Sequence, residues 1–433
     1  MNDLWVAGLL ILSLFLILGS GVWIGLTLSG VAWIAMQLFS SRPAGDAMAI
    51  TTWGSASSWT LTALPLFVWM GEILFRTRLS NDMFRGLAPW MQSLPGRLLH
   101  TNVVGCTIFA AVSGSSAATV ATIGKMSLPE LKRRGYPDGI VVGSLAGAGT
   151  LGLLIPPSII MIVYGVSAEV SIAQLFVAGV LPGLLLASLF SSYLAGWALL
   201  NPSRVPPADP GLTLAHKLSE SRHLIPVVLL IAAVLGSIYG GIATATESAA
   251  LGVVGALLIA GVQGSLTWQT FKDSLLGGVR LYCMIALILA GAAFLTLSMG
   301  YIGLPRHLAE WIATLGLSQW QLLLALMLFY IVLGCFLDGI SMVVLTMGVI
   351  LPTVQAAGID LIWFGIFIVI VVEMAQVTPP VGFNLFVLQG MTGRDIGWIA
   401  KVTFPFFLLM VLACALIYWV PGIVTWLPAQ MRN

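Results

Sequence analysis

Long apolar runs, cut by Gly, Pro and short polar turns, make up most of this chain. Leu4 to Phe39, Ala173 to Leu200 and Leu224 to Tyr239 with its continuation approach or exceed the ~20 apolar residues that cross a ~30 Å hydrocarbon layer. About ten to twelve spans are expected, which makes the fold an all-α polytopic membrane protein. The first run is too long for one span at ~1.5 Å rise per residue and is expected to break near Gly19-Ser20-Gly21. The longest polar stretch, Asn201 to His223, is rich in Pro and Ser and reads as a loop, so no sizeable soluble domain is expected.

Within this pattern one motif occurs twice. Leu128-Pro129, Gly135 and Pro156-Pro157 recur as Leu351-Pro352, Gly358 and Pro379-Pro380, at a constant offset of 223 residues. Each copy follows a small polar element, Ser113-Gly114-Ser115-Ser116 and Asp338-Gly339-Ile340-Ser341. Two halves of an apolar chain with helix breaks at matching positions are the signature of a secondary transporter whose site lies at the repeat interface.

Composition narrows the class. Apolar residues make up 59% and charged residues 8%, against about a quarter charged in soluble proteins. The net charge of +2 gives no footprint for nucleic acid. Cys106, Cys283, Cys335 and Cys414 lie far apart in apolar runs without metal or disulfide spacing, and read as small core residues. No Lys or Arg precedes Arg42, so the first run lacks the basic flank of a cleavable signal and is expected to stay in the mature protein.

The basic residues set the topology. Arg76, Arg78, Arg85 and Arg97 precede the run 98–124, and Lys125, Lys132, Arg133 and Arg134 follow it, so the positive-inside rule places both flanks in the cytoplasm. A single span cannot do that. The reading is a re-entrant hairpin turning at Ser113–Ser116, a geometry allowed at membrane depth where protein or a watery cavity covers the backbone. The first repeat, 98–200, then holds this hairpin, a Pro-broken span at 137–165 and a scaffold helix at 172–200. Residues 1–97 supply N-terminal scaffold spans, 201–223 a cytoplasmic loop, and 224–316 further scaffold spans. The last of these crosses from Leu281 to Gly300, with Lys272 left inside and an amphipathic arm from Ile302 to Leu315. The second repeat, 317–433, holds a hairpin at 321–351, a broken span at 361–391 and a final span. No Lys or Arg lies between Arg306 and Arg394, so the second hairpin enters from the opposite face. The duplication is thus an inverted one.

The chemistry-bearing candidates sit at these interruptions. Half-helix ends with Ser hydroxyls and an Asp carboxylate suit a hard cation, although Ser and Gly also serve close helix packing. Asp338, ionisable inside an apolar run, favours the functional reading. Pro156-Pro157, followed by Ser158, and Thr378-Pro379-Pro380, followed by Gly382, remove helix donors and free carbonyls a turn earlier. Gly147-Ala148-Gly149-Thr150-Leu151-Gly152 fits GxGxxG but lies in a span rather than a βαβ unit, so close packing explains it. Glu247, Glu373 and Asn384 are further candidates, and for the two acids an ion site and a structural role both remain open. Glu72 and Glu169 read as solvated helix ends. His100, His216, His223 and His307 form no catalytic set.

On Ser113–Ala118, Gly152–Ser158, Thr246–Ala250, Asp338-Gly339 and Thr378–Gly382, the chain resembles the large membrane subunit of TRAP transporters (tripartite ATP-independent periplasmic transporters), the DctM-like branch of the ion transporter superfamily. The resemblance implies an elevator-type fold and import of an organic acid, such as a C4-dicarboxylate or sialic acid, with Na⁺ as coupling ion and no other cofactor. It assigns Na⁺ to Ser113, Ser115, Ser116, Asp338 and Thr378, with Gly114 and Gly339 in the tips. It also implies two partners, a small four-span membrane subunit and a periplasmic substrate-binding protein, in a bacterial inner membrane. The small subunit is expected to be separate from this chain. The rival readings are a stand-alone Na⁺/carboxylate symporter of the same superfamily and, remotely, an intramembrane protease, for which Asp338 lacks a second Asp.

Overall fold

The computed structural model describes residues 3–209, 213–335, 337–380 and 382–431. Phe336 of the second hairpin, Val381 of the Thr378–Gly382 motif and 210–212 of the polar loop lie outside the described residues. All regular elements among those described are helical.

Among the described residues, six helices are long and apolar enough to cross a bilayer, or up to eight if each of two bent pairs counts as one span. That is fewer than ten to twelve, because several apolar runs are cut into helices too short to span alone, among them Ile24–Phe39, Gln319–Leu333 and Leu361–Gln376. The first run is two helices, Asp3–Gly19 and Ile24–Phe39, joined at Gly21 in the left-handed region (φ 84°). Ile24–Phe39 lies along Trp268–Ile302. Their approach is close: a Cβ on Gly25 would stand 2.6 Å from the Leu287 carbonyl, the small-residue contact typical of membrane helices. Trp268–Ile302 runs 35 residues and includes Lys272 and Arg280, rather than starting at Leu281. Thr267 accepts a hydrogen bond from the Thr270 amide and starts the helix early, and both cations stay exposed on its N-terminal extension. The polar loop also carries a helix, Leu214–Ser221, capped by Thr213.

Both hairpins are helix–turn–helix units. The first comprises His100–Ser113 and Ser116–Arg133; the second arm continues past Gly124, where the side chains of Leu145 and Met391 pack where a Cβ would be. Gly124 therefore serves close packing and does not end the helix. The second comprises Gln319–Leu333 and Gly339–Ala356, and Leu304–Thr314 rests across its second arm.

The broken elements lie at the centre. Asp138–Gly149 is buried from Ile140 onward, continues as Leu151–Leu154, and is followed by Ile159–Ser167 at a 42° bend. Its counterpart Leu361–Gln376, buried at every position from Trp363 to Gln376, is followed by Phe383–Thr392. The halves interlock reciprocally. Ile159–Ser167 packs on Gly339–Ala356 of the second hairpin, and Phe383–Thr392 packs on Ser116–Arg133 of the first. Ile172–Leu200 is unbroken over 29 residues, and its Gly179 and Gly183 face Leu154 and Ile155 at the first break.

Candidate functional site

At the first tip, Gly114 takes the left-handed conformation (φ 60°) that lets the chain reverse. Ser115 then caps Ser116–Arg133, its hydroxyl accepting from the Ala118 amide at 3.4 Å. The Ser113 and Thr119 hydroxyls meet at 2.8 Å, and Thr119 donates to the Ser115 carbonyl at 2.8 Å. The tip sits on the first break: the Gly114 carbonyl accepts from the Ile159 amide at 3.3 Å. A Cβ on Gly152 would stand 2.6 Å from Ser116 Cα and 2.7 Å from the Ser115 carbonyl. The GxGxxG glycines are thus contact points; Gly147 faces Phe406 and Gly149 faces Val120.

The Pro-Pro breaks free carbonyls, and neighbouring hydroxyls take them up. Ser158, fully buried, donates to Leu153 O at 2.5 Å and accepts from the Met161 amide to cap the next helix. Thr378 donates to Met374 O at 2.7 Å. Pro379 O accepts from the Cys335 thiol at 3.3 Å, joining the second break to the second hairpin. Gly382 takes a positive φ of 23° as Phe383–Thr392 begins.

At the second tip, Asp338 caps Gly339–Ala356. Its Oδ2 accepts from the Ile340 and Ser341 amides at 3.1 and 3.2 Å, and the Ser341 hydroxyl donates to Oδ1. A Cβ on Gly339 would lie 2.6 Å from Val372, 3.0 Å from Ile160 and 3.1 Å from Gln376 Nε2. The second tip therefore touches the element after the first break and the helix before the second.

Of the further candidates, Glu373 and Asn384 are buried with none of their side-chain polar atoms hydrogen-bonded. The Ser116 hydroxyl of the first tip lies beside the Glu373 carboxyl. Glu247 has a different explanation. It forms a capping box with Thr244 at the start of Ala245–Val262, accepting from the Thr244 amide and hydroxyl at 2.8 Å, and it is exposed. Glu72 lies in the last turn of Ala63–Phe75, half-buried and paired with Arg76. Cys106 and Cys414 are buried, but Cys283 is exposed and Cys335 is half-buried, so only two of the four are core residues.

Two contributors were absent from the sequence reading. Thr119 shares a helical face with Ser115, a spacing visible in the sequence, whereas Gln376 reaches Gly339 only through the tertiary packing. A cleft of about 1060 Å³ lies elsewhere, lined by Thr51, Ser55, Glu169, Thr246, Thr296 and Val344 among others, and contains no tip or break residue.

The family model described as "Tripartite ATP-independent periplasmic transporter, DctM component" matches residues 9–423. The C4-dicarboxylate TRAP transporter large permease protein DctM of Pseudomonas aeruginosa is 31% identical over 382 residues, 88% of this chain and 89% of its own. The isethionate TRAP transporter permease protein DctMQ of Oleidesulfovibrio alaskensis is 32% identical over 415 residues, 95% of this chain and 64% of its own. Among solved structures, the YdaH transporter of Alcanivorax borkumensis superposes with a TM-score of 0.61 at 13% identity, over 86% of this chain and 87% of its own, a likeness of fold alone.

Proposed function

Because this chain belongs to the DctM family, the large permease component of tripartite ATP-independent periplasmic transporters, and is therefore a multi-pass transporter rather than an enzyme, we propose that it imports a small organic acid coupled to Na⁺. The observation that carries this reading is the meeting of two polar hairpin tips with two helix breaks within the buried interior. Ser113, Ser115, Ser116, Asp338 and Thr378 offer oxygen donors of the kind a hard monovalent cation takes. Cations held there lower the cost of bringing an anion to membrane depth, where no described Lys or Arg side chain is buried.

The named relatives act on a C4-dicarboxylate and on isethionate, and both substrates are small organic anions. The same class is the proposed cargo, with sialic acid a larger member. On this reading the hairpins are re-entrant, the two interlocked repeats move as one body against the remaining helices in an elevator cycle, and the protein sits in the bacterial inner membrane. A small four-span subunit and a periplasmic binding protein complete the machine.

Reconstitution with both partners tests it. Uptake of the binding protein's ligand into proteoliposomes is expected to require an inward Na⁺ gradient and the loaded binding protein. Undiminished uptake with choline replacing Na⁺ refutes the coupling. Equal uptake without the binding protein favours the stand-alone symporter.

A further inference from the structure

Glu373 is the one acidic side chain of Leu361–Gln376; it is 1% exposed, and neither carboxyl oxygen has a hydrogen-bond partner. A carboxyl in such a place is strained most when ionised, because it then lacks a counter-charge, and a buried unpaired charge is strongly unfavourable; neutral, it has the Ser116 hydroxyl beside it for one oxygen. The surroundings supply no counter-charge. The helices that pack along Leu361–Gln376 are Leu151–Leu154, Ile159–Ser167, Ile172–Leu200, Gln319–Leu333, Gly339–Ala356, Phe383–Thr392, Ile396–Trp419 and Gly422–Thr425. Their only Lys or Arg is Lys401, which is exposed.

The position is also where the two halves differ. Thr150 stands at the equivalent place in the first half, and its hydroxyl is satisfied within its own helix by Gly147 O at 2.6 Å. Glu373 instead faces Ser116 on the first hairpin tip, beside the Ser113, Thr119 and Ser115 oxygens. That tip carries hydroxyls and glycine but no acid of its own, whereas the second tip carries Asp338.

We infer that Glu373 supplies the carboxylate of a cation site at the first hairpin tip, so that the negative ligand missing from Ser113-Gly114-Ser115-Ser116 comes from the opposite repeat. This rests on the Na⁺-coupled reading above. A cation there gives both oxygens a partner and neutralises the charge, whereas a proton gives one oxygen the Ser116 hydroxyl as its acceptor and leaves the other without a partner. Each tip then has one carboxylate, and the cation at the first tip joins the first repeat's hairpin to the second repeat's central helix.

The test is thermal melting of the purified complex with its small subunit, titrated with NaCl against choline chloride at constant ionic strength. Wild type is expected to gain stability saturably with Na⁺. E373Q is expected to melt higher than wild type in choline, because a buried charge is gone, and to need at least tenfold more Na⁺ with a shallower response. E373D, which serves if E373Q does not fold, is expected to keep the response at a several-fold higher midpoint. An unchanged midpoint and steepness in either variant overturns the assignment. So does an unchanged Na⁺ response in E373Q accompanied by loss of the pH dependence of melting, which would make Glu373 a proton site. If wild type itself shows no Na⁺ response, the Na⁺ coupling proposed above fails first, and this assignment with it.

Discussion

Asp338 is an observed helix cap and, on the proposed Na⁺-coupled reading, a cation ligand, and two substitutions at the one position tell these jobs apart. As an N-cap it satisfies the Ile340 and Ser341 amides at the start of Gly339–Ala356. Losing such a cap costs about 1 kcal/mol (range roughly 0.5–2), while Asn caps nearly as well as Asp. As a cation ligand it supplies a full charge. One charge pair at ~4 Å in an effective dielectric of ~20 is worth about 4 kcal/mol, and at ~1.4 kcal/mol per decade that is an upper bound of about 10³-fold in affinity. D338N is therefore expected to melt within a few degrees of wild type without Na⁺, yet to need at least 30-fold, by that bound roughly 10²–10³-fold, more Na⁺ for half-maximal uptake. D338A should lose the same Na⁺ affinity and melt lower as well. Both are read in parallel by Na⁺-titrated uptake in proteoliposomes and by melting in choline. If D338N keeps its Na⁺ midpoint within threefold of wild type, the carboxylate is only a helix cap and the second tip holds no cation through it.

Gly152 tests the seating of the first tip. Its added Cβ would press on the backbone of Ser115 and Ser116, which cannot rotate away, so G152A is expected to cost about 1–3 kcal/mol of packing and to cut uptake at least tenfold. G196A, with no atom within 4 Å of its Cβ, is the control and should transport normally; wild-type uptake by G152A would refute the close fit. At the first hairpin's base, burial works against the Glu130 carboxylate, but hydrogen bonds from Arg134 and Arg133 outweigh it and hold its carboxyl below the usual range. A depressed acid contributes stability above its unfolded pKa of about 4.3 and loses it as pH falls through the lower folded value. The melting temperature should therefore fall on acidification below about pH 4.5, and R134A should blunt that fall; an identical acid profile in R134A would show that the pair contributes nothing.

Much of the architecture was legible because backbone punctuation is local. Gly21, Gly114 and Gly135 all adopt positive φ, and the Pro-Pro pairs end helices by chemistry that needs no tertiary partner. The Thr244–Glu247 spacing is likewise a local motif, and the structure resolves its open reading as a cap. Helix ends were less legible. Gly124 closes the apolar run but sits inside a helix that continues to Arg133, and Lys272 reads as loop but lies in a helix begun by Thr267. In neither case does the end of the apolar run mark the end of the helix. The candidate site was half visible. The tips could be named from their residues, but no sequence pattern links Ser116 to Glu373, which come from opposite halves, or Gly339 to Gln376, which sit on separate helices of one half and meet only in the tertiary packing.

The cross-linking of the halves has a mechanical consequence. Each tip abuts the first break on one side, Gly114 through Ile159 and Gly339 through Ile160. Each also meets the second half's central helix on the other, Ser116 through Glu373 and Gly339 through Val372 and Gln376. Neither hairpin can lift away without uncovering groups that belong to the opposite repeat, and among these are a buried carboxyl and the ends of two broken helices. Exposing such groups to lipid is costly, while exposing them to a water-filled opening is not. If cations occupy the tips as proposed, a tip opens toward water only when its cation has left and closes when the cation returns. This is why the acids at the tips, rather than the prolines that shape the breaks, are the positions at which substitution should separate Na⁺ dependence from folding.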